Sequence, residues 1–323
     1  MGEASSQVLV TGASGFLGRI LCQRLIAMGN RVVAAGRRAS EGPWNEFREM
    51  DLTADSLPGG LLDGVETVYH LASKAHAVAE TDAEADTYRP IIVEGTRKLL
   101  QSAITSGVKR FIYVSSVKAM GEGNPVGLPL EPMDETWPHT PHSPYGIAKA
   151  EAEKLVLESA IAHKVVVRPV MVYGPGEKGN LPRMVEAVRR GRFPPLPETG
   201  NKRSMIHVDD LIEYMIRAAL RPIANGKSYV LSGTDAPSTR ELYDAIREAL
   251  GMPPVDWSIP LFSLKSAAWL GTLMGSVFRR RMPLDNATLG KLTASAWYSP
   301  DLAILELDYT PRHSVRDWLG SHG

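Results

Sequence analysis

Gln7-Val-Leu-Val-Thr-Gly12-Ala-Ser-Gly15-Phe-Leu-Gly18 is the stretch that decides the fold. Gln7 to Val10 has the length and apolarity of a buried strand, and a glycine turn follows at once. Beyond it Leu17, Ile20, Leu21, Leu25 and Ile26 recur with helical period until the Gly29-Asn30 stop signal. Strand, glycine turn and helix in succession form the context a dinucleotide-binding motif requires. Gly12 permits the tight turn, Gly15 lets the backbone approach a pyrophosphate, and Gly18 lets the helix pack closely on the sheet. The helix N-terminus adds free N–H groups and the positive end of its dipole. The alternative is a plain structural turn.

The strands that follow extend the pattern. Arg31 to Ala35 is a second strand ending in Gly36-Arg37-Arg38. At this point an NAD-type fold presents an acidic residue to the ribose 2′-hydroxyl. Two guanidiniums stand there instead and suit a 2′-phosphate, which favours NADP(H) and leaves NAD(H) open. A third strand is expected over Glu46–Met50, with Asp51 and Leu52 after it in reach of an adenine. The fourth, Thr67 to His70, runs into Leu71, Ala72, Ser73 and Lys74, whose small members would let a cofactor lie across the sheet edge. His70 reads as a packed strand-end residue. Ile91 to Ile104 is a helix stopped by Gly107. Phe111 to Ser116 is a strand that empties its two serines into a cleft, and Val165 to Pro169 is a sixth strand. Strands alternating with helices of this length argue for an α/β fold, a doubly wound parallel sheet of Rossmann type. Ligands in such sheets lie at the carboxyl ends of the strands, where Gly15, Arg37, Ala72, Ser116 and Arg168 all fall.

One further helix carries the chemistry. Ser143 is a good N-cap and Pro144 suits the first helical position, so Tyr145 and Lys149 stack on one face, a turn apart. A phenol titrates near a pH of about 10, and an ammonium one turn away stabilises its phenolate. Tyr145 is then a general acid or base for a carbonyl/carbinol pair, with Ser116 hydrogen-bonding the same oxygen. By itself the spacing also fits an amphipathic helix facing solvent; the glycine turn at the start of the chain changes that balance.

The 323 residues allow a large α/β domain with a smaller one appended. We expect 1–168 to bind the dinucleotide and 169–323 to form mainly a substrate-binding domain, with about 203–221 returning to the first. Charge is balanced at 36 basic and 36 acidic residues, spread along the chain, so no nucleic-acid footprint shows. Cys22 is the only cysteine, which fits a reducing, cytoplasmic setting. The polar start is too short for a signal peptide, no uncharged apolar run reaches spanning length, and no metal-ligand spacing is present. Arg203 beside a strand either clamps an anionic group such as a diphosphate or is an ordinary surface arginine. Pro260 to Arg281 is apolar and ends in three arginines. It suits peripheral contact with a membrane surface, or else a helix that covers the substrate pocket.

The set TGASGFLG (11–18), HLAS (70–73), SS (115–116), YGIAK (145–149), VRPVMVYGPG (167–176) and RSMIHVDDL (203–211) resembles the extended short-chain dehydrogenase/reductases. More narrowly it is similar to the NAD-dependent epimerase/dehydratase group that acts on nucleotide sugars. The resemblance implies a Ser116–Tyr145–Lys149 catalytic triad, with Lys149 also holding the nicotinamide ribose. It implies cofactor contacts from Gly12, Gly15, Gly18, Asp51 and Ala72, with Ser14, Phe16, Leu17, Leu52, Leu71, Ser73 and Lys74 beside them. For the substrate it implies Lys74, Ser116, Asn180 and Arg203, the last near the diphosphate. Two departures matter: Ile92 and Met171 stand where many members carry asparagine, the second of which often touches that diphosphate. The 203–207 and 179–181 stretches look most like 4-keto-6-deoxy-sugar reductases, which implies NADPH-dependent reduction of a UDP-4-keto-6-deoxy-hexose. A 4-epimerase is the alternative, as is a 3β-hydroxysteroid dehydrogenase-like enzyme on an apolar alcohol or ketone, to which 260–278 is similar. A homodimer through the Tyr145 helix and the Ile91–Ile104 helix is a further family expectation.

Overall fold

The computed structural model describes residues 6–74, 87–121, 131–177, 179–278, 282 and 284–322. In chain order the first half contains β1 (Gln7–Thr11), α1 (Phe16–Ala27), β2 (Arg31–Gly36), β3 (Glu46–Glu49), β4 (Thr67–His70), α2 (Gly95–Thr105), β5 (Arg110–Val114) and α3 (Pro144–Leu157). The second half contains β6 (His163–Pro169), β7 (Met171–Tyr173), α4 (Asn180–Arg189), β8 (Met205–His207), α5 (Val208–Leu220) and β9 (Lys227–Leu231). It closes with α6 (Thr239–Ala249), α7 (Leu261–Phe278), α8 (Asn286–Thr293), α9 (Asp301–Leu307) and α10 (Val315–His322).

Seven strands pair in parallel in the order β3-β2-β1-β4-β5-β6-β9. The order reverses at β1, so the crevice beyond the carboxyl ends of β1 and β4 is the switch point where such sheets take ligands. Alternate side chains of the central strands serve two cores. Val8 and Val10 of β1 pack with Leu21, Cys22 and Leu25 of α1 and with Leu211, Ile212 and Met215 of α5. Leu9 points the other way, into a core shared with Leu99 and Ala103 of α2 and Ala148, Ala152 and Val156 of α3. Helices on both faces explain why β1 and β2 read as apolar runs and why β4 is buried throughout.

Six strands are expected for the sheet, besides a short one near 201–207 that appears as β8; the sheet has a seventh. β9 pairs along its whole length with β6, Val165 opposite Lys227 through Pro169 opposite Leu231. Its place depends on α5, which carries the chain back across the sheet, and that crossover is a tertiary event. The Ile91 helix is also longer than expected: a π-helical turn over Pro90–Glu94 leads into α2. Beyond the sheet, β7 and β8 form a small parallel pair. Tyr173, Leu181, Leu242, Tyr243, Ile246 and Val315 gather a third core there. Asp210 of α5 is fully buried and ties this part down, accepting from the Tyr309 hydroxyl at 2.6 Å and from the Arg312 and His313 N–H groups at 3.1 Å. No helix among the described residues is long and apolar enough to cross a membrane.

Candidate active site

The glycine turn is built as tightly as its sequence requires. Gly12 has φ +70°, and a Cβ there would lie 2.9 Å from the Ala72 nitrogen, where the end of β4 passes over the turn. A Cβ on Gly18 would lie 2.2 Å from the Gly12 carbonyl oxygen and 2.6 Å from the Ala13 Cα, so the first turn of α1 sits directly on the loop. The Gly15 N–H donates to the Gly12 carbonyl at 3.0 Å. Gly15 is also the N-cap of α1 and supplies no side-chain cap, leaving the helix end to be met by something else. Ser14 and Gly15 are exposed at the mouth of the loop, with Phe16 and Leu17 half-buried behind them. A cradle without side chains at an uncapped helix N-terminus fits a dinucleotide's diphosphate.

Thr11 is missing from the residues singled out by sequence. Its hydroxyl oxygen accepts from the Ala72 N–H at 3.0 Å and lies 2.7 Å from His70 Nδ1, while His70 Nε2 lies 3.0 Å from Thr96 Oγ1. The Thr96 hydroxyl is itself committed to the Ile92 carbonyl, so His70 donates through Nε2 and accepts through Nδ1. Burial pushes His70 down to about 3, with Lys149 adding repulsion. His70 is a packed, neutral strut, as expected.

Arg37 and Arg38 are exposed where β2 ends. Asp51 caps a turn, accepting from the Thr53 N–H at 2.8 Å and hydroxyl at 2.7 Å. Those bonds hold its carboxyl below the usual range, and the Arg37 charge adds to the effect. Leu52 is buried against α2: a Cβ on Gly95 would meet its Cβ at 2.8 Å. Leu71 and Ala72 are half-buried at the end of β4. The Ser73 hydroxyl donates to the Lys74 carbonyl. Lys74 Nζ donates to Thr87 Oγ1 at 2.6 Å and lies 5.3 Å from the Tyr88 ring centre.

At α3 the Ser143 hydroxyl accepts from the Gly146 N–H at 3.1 Å and Pro144 takes the first helical position. Tyr145 and Lys149 are both buried. Lys149 Nζ donates to the Val114 carbonyl at 2.8 Å and lies 4.8 Å from the Tyr113 ring centre and 5.9 Å from that of Tyr145. Lys118 Nζ lies 5.8 Å from the same Tyr145 ring centre. Tyr88 meets Tyr145 edge-on at 5.6 Å. The single turn Val117–Ala119, capped by Ser116 Oγ through the Lys118 N–H, presses on the start of α3. A Cβ on Gly146 would fall 2.5 Å from the Lys118 carbonyl oxygen, so only glycine allows the turn that bears Ser116 to reach the tyrosine helix. Two ammonium groups thus lie 5.8 and 5.9 Å from the Tyr145 ring centre. Burial pulls Lys149 down to about 7, opposed by the negative charge of Glu153.

Glu153 and Arg168 correct the sequence picture. Arg168 lies at the carboxyl end of β6 but not as a free ligand in the cleft. Its Nε and Nη2 clamp the Glu153 carboxylate at 3.0 and 2.7 Å, both side chains about 95% shielded at 4% and 5% exposure. His139 Nε2 takes its Nη1 at 3.3 Å. Glu153 is one turn beyond Lys149 on the same face, a spacing that could have been noticed. Tyr88 and Lys118 carry no local signal; only tertiary packing brings them to Tyr145.

Arg203 is half-buried, and its Nη1 donates to the Lys291 and Ala294 carbonyls at 2.7 and 3.2 Å. Burial lowers its pKa. Among the described residues no carboxylate pairs with it. Asn180 is exposed at the first position of α4. Ile92 is buried in the π-helical turn, and Met171 opens β7.

Comparison with known proteins identifies the family. The model of the NAD dependent epimerase/dehydratase family matches residues 8–232. A UDP-glucose 4-epimerase of Vibrio cholerae is 32% identical, over 87% of this chain and 85% of its own. A 2-alkyl-3-oxoalkanoate reductase of Stenotrophomonas maltophilia is 29% identical, over 97% of each chain. The crystal structure of gox2253 superposes with a TM-score of 0.75 at 26% identity, over 98% of this chain and 96% of that one. The chain belongs to the NAD dependent epimerase/dehydratase family, within the extended short-chain dehydrogenase/reductases, and is an NAD-dependent oxidoreductase or epimerase.

Proposed function

We propose that the chain reduces the 4-keto group of a UDP-4-keto-6-deoxy-hexose, with NADPH as the preferred cofactor. The observation that carries this reading is the buried Tyr145 ring flanked by Lys149 and Lys118. A bound nicotinamide supplies the hydride. Tyr145 delivers a proton to the carbonyl oxygen as charge develops there, and Ser116 orients that oxygen. Lys149, held by the Val114 carbonyl, places its amine beside the phenol and meets the nicotinamide ribose. Gly12, Gly15 and Gly18 with the first turn of α1 hold the diphosphate, and Ala72 and Asp51 border the rest. Arg37 and Arg38, exposed where a ribose-binding acid would stand, favour a 2′-phosphate. Arg203 has no carboxylate partner among the described residues, which supports its meeting the diphosphate of a sugar nucleotide. The reading includes a homodimer through α2 and α3, whose Ile104 and Ile147 are exposed.

Two other readings have specific support. The 4-epimerase relative favours isomerisation without net consumption of cofactor. The reductase relative, whose name carries an alkyl chain, together with the apolar outer side of α7 favours a lipophilic ketone. Mixing the enzyme with NADPH and a UDP-4-keto-6-deoxy-hexose separates them. Stoichiometric loss of absorbance supports the reductase; inversion at C4 of a UDP-hexose offered in place of the keto sugar, without net change in cofactor, supports the epimerase; and turnover of a 2-alkyl-3-oxoalkanoate with no stabilisation by UDP supports the third. In each case Tyr145→Phe abolishes turnover and leaves cofactor affinity intact. Wild-type rates in that variant would remove Tyr145 from the mechanism.

A further inference from the structure

β8 ends in His207, and the first turn of α5 that follows carries Asp209 and Asp210. Facing them is His313, in the stretch between α9 and α10. The two imidazoles stack with centres 4.3 Å apart and planes inclined by 27°. One donor atom from each of His207, Asp209 and His313 lies within 4.8 Å of the other two, the one such group among the described residues. Spacing in the sequence carries no sign of it, because His313 reaches the other two only through the fold.

Both histidines are held from behind. His207 is buried, with Tyr173 edge-on to its ring at 5.3 Å. Its Nδ1 accepts from the Asp209 N–H at 3.3 Å, longer than an ordinary bond of this kind, so the lone pair of that nitrogen faces the start of α5. His313 Nδ1 lies 3.1 Å from Oδ1 of Asp210, which is fully buried. A carboxylate there takes the Nδ1–H and leaves the lone pair on Nε2, the arrangement that orients a ligating histidine. The Asp209 and His313 side chains are 53 and 43% exposed, so both have room to turn toward a common point while His207 stays fixed.

One contact implies a cation. His207 Nδ1 stands 3.6 Å from Asp209 Oδ2, and two atoms that both present lone pairs repel unless a positive charge lies between them. A proton bridges only two atoms, whereas a metal ion also engages His313. Donors held at about 2.0–2.1 Å from a tetrahedral zinc stand about 3.3 Å apart, so 3.6 Å needs little adjustment. Two imidazoles and one carboxylate suit zinc and its neighbours better than calcium or magnesium, with solvent as the fourth ligand. Asp209 and Asp210 offset the positive end of the α5 dipole.

We infer that His207, Asp209 and His313 bind a divalent transition-metal ion, zinc by preference, which fastens the chain before α10 to the start of α5. The inference is independent of which carbonyl compound or sugar the enzyme turns over.

The test is calorimetric titration of the metal-stripped, full-length chain with zinc, beside thermal melts in zinc and in chelator. One ion per chain is expected, with the thermal midpoint raised by zinc. Asp209→Asn and His313→Ala should each weaken binding about 100-fold or more, beyond the 10–100-fold cost of losing a residue that only orients a ligand. His313→Ala also removes the bond to Asp210, so Asp209→Asn is the variant expected to melt with wild type in chelator. His142→Ala, at an exposed histidine elsewhere, should bind zinc as wild type does. Absence of saturable binding would overturn the inference and leave a proton between His207 and Asp209. So would affinities in Asp209→Asn and His313→Ala within about three-fold of wild type, since zinc would then be held elsewhere.

Discussion

Gly18→Ala is the most direct probe of the cofactor cradle, because the added methyl has nowhere to go. Its Cβ would stand 2.2 Å from the Gly12 carbonyl oxygen and 2.6 Å from the Ala13 Cα. Both are backbone atoms, so no side chain can swing aside. Restoring contact near 3.2 Å requires the start of α1 to withdraw from the loop by about 1 Å. An N–H to phosphate bond of ordinary length is then stretched beyond its useful range. Losing two such charge-assisted bonds costs about 3 kcal/mol and weakens cofactor binding roughly 100-fold. Gly29→Ala is the control. That residue closes the far end of α1 with φ +86° and nothing within 4 Å, so alanine there adds backbone strain of about 1–2 kcal/mol and leaves the cradle alone. Titration calorimetry with NADPH and NADH, beside thermal unfolding without cofactor, separates the two effects. Gly18→Ala binding cofactor within two-fold of wild type, or Gly29→Ala losing as much affinity, would refute the assignment of the cradle.

Arg37→Ala should weaken NADPH by about 10-fold or more, the worth of one charge-assisted bond, while barely changing NADH; equal losses in titration would remove the 2′-phosphate contact. Glu153→Gln strands the Arg168 guanidinium in the interior and should cost about 3–5 kcal/mol in denaturant unfolding. Adding Arg168→Met should return most of that, and a single variant as stable as wild type would show that the clamp is not formed. Lys149, drawn from its ordinary range down to about 7 by burial, binds fewer protons folded than unfolded between that pH and the ordinary lysine value. Its burden on stability is therefore full below about 7 and is relieved as pH rises through that window. Any stability advantage of Lys149→Met at neutral pH should shrink toward pH 9 in paired thermal melts, and a difference constant with pH would mean that the lysine keeps its usual proton.

Much of the site was legible because its chemistry is local. Gly12 to Gly18 read as strand, turn and helix since Gly15 and Gly18 answer to Gly12 and Ala13 a few residues away, whereas the close approach of Ala72 to Gly12 is tertiary. Ser143, Pro144, Tyr145 and Lys149 declared a capped helix with two groups on one face, and the structure reproduces the cap and the face. Arg168 shows where local inference stops. Its place at a strand end was foreseeable, but its burial against Glu153 depends on how α3 lies across β6. β9 was missed for the same reason: its five residues acquire a partner only after α5 has crossed the sheet.

The sequence alone determined the alternation of strands and helices, the glycine turn and the tyrosine–lysine face, because periodicity, capping and backbone freedom act over a few residues. Only the tertiary structure decided that Lys118 and Tyr88 frame Tyr145, that Thr11 and His70 brace the end of β4, and that one face of α7 is left outward. Those outcomes depend on which surfaces pack together, and packing couples residues far apart in the chain whose separate neighbourhoods carry no trace of each other.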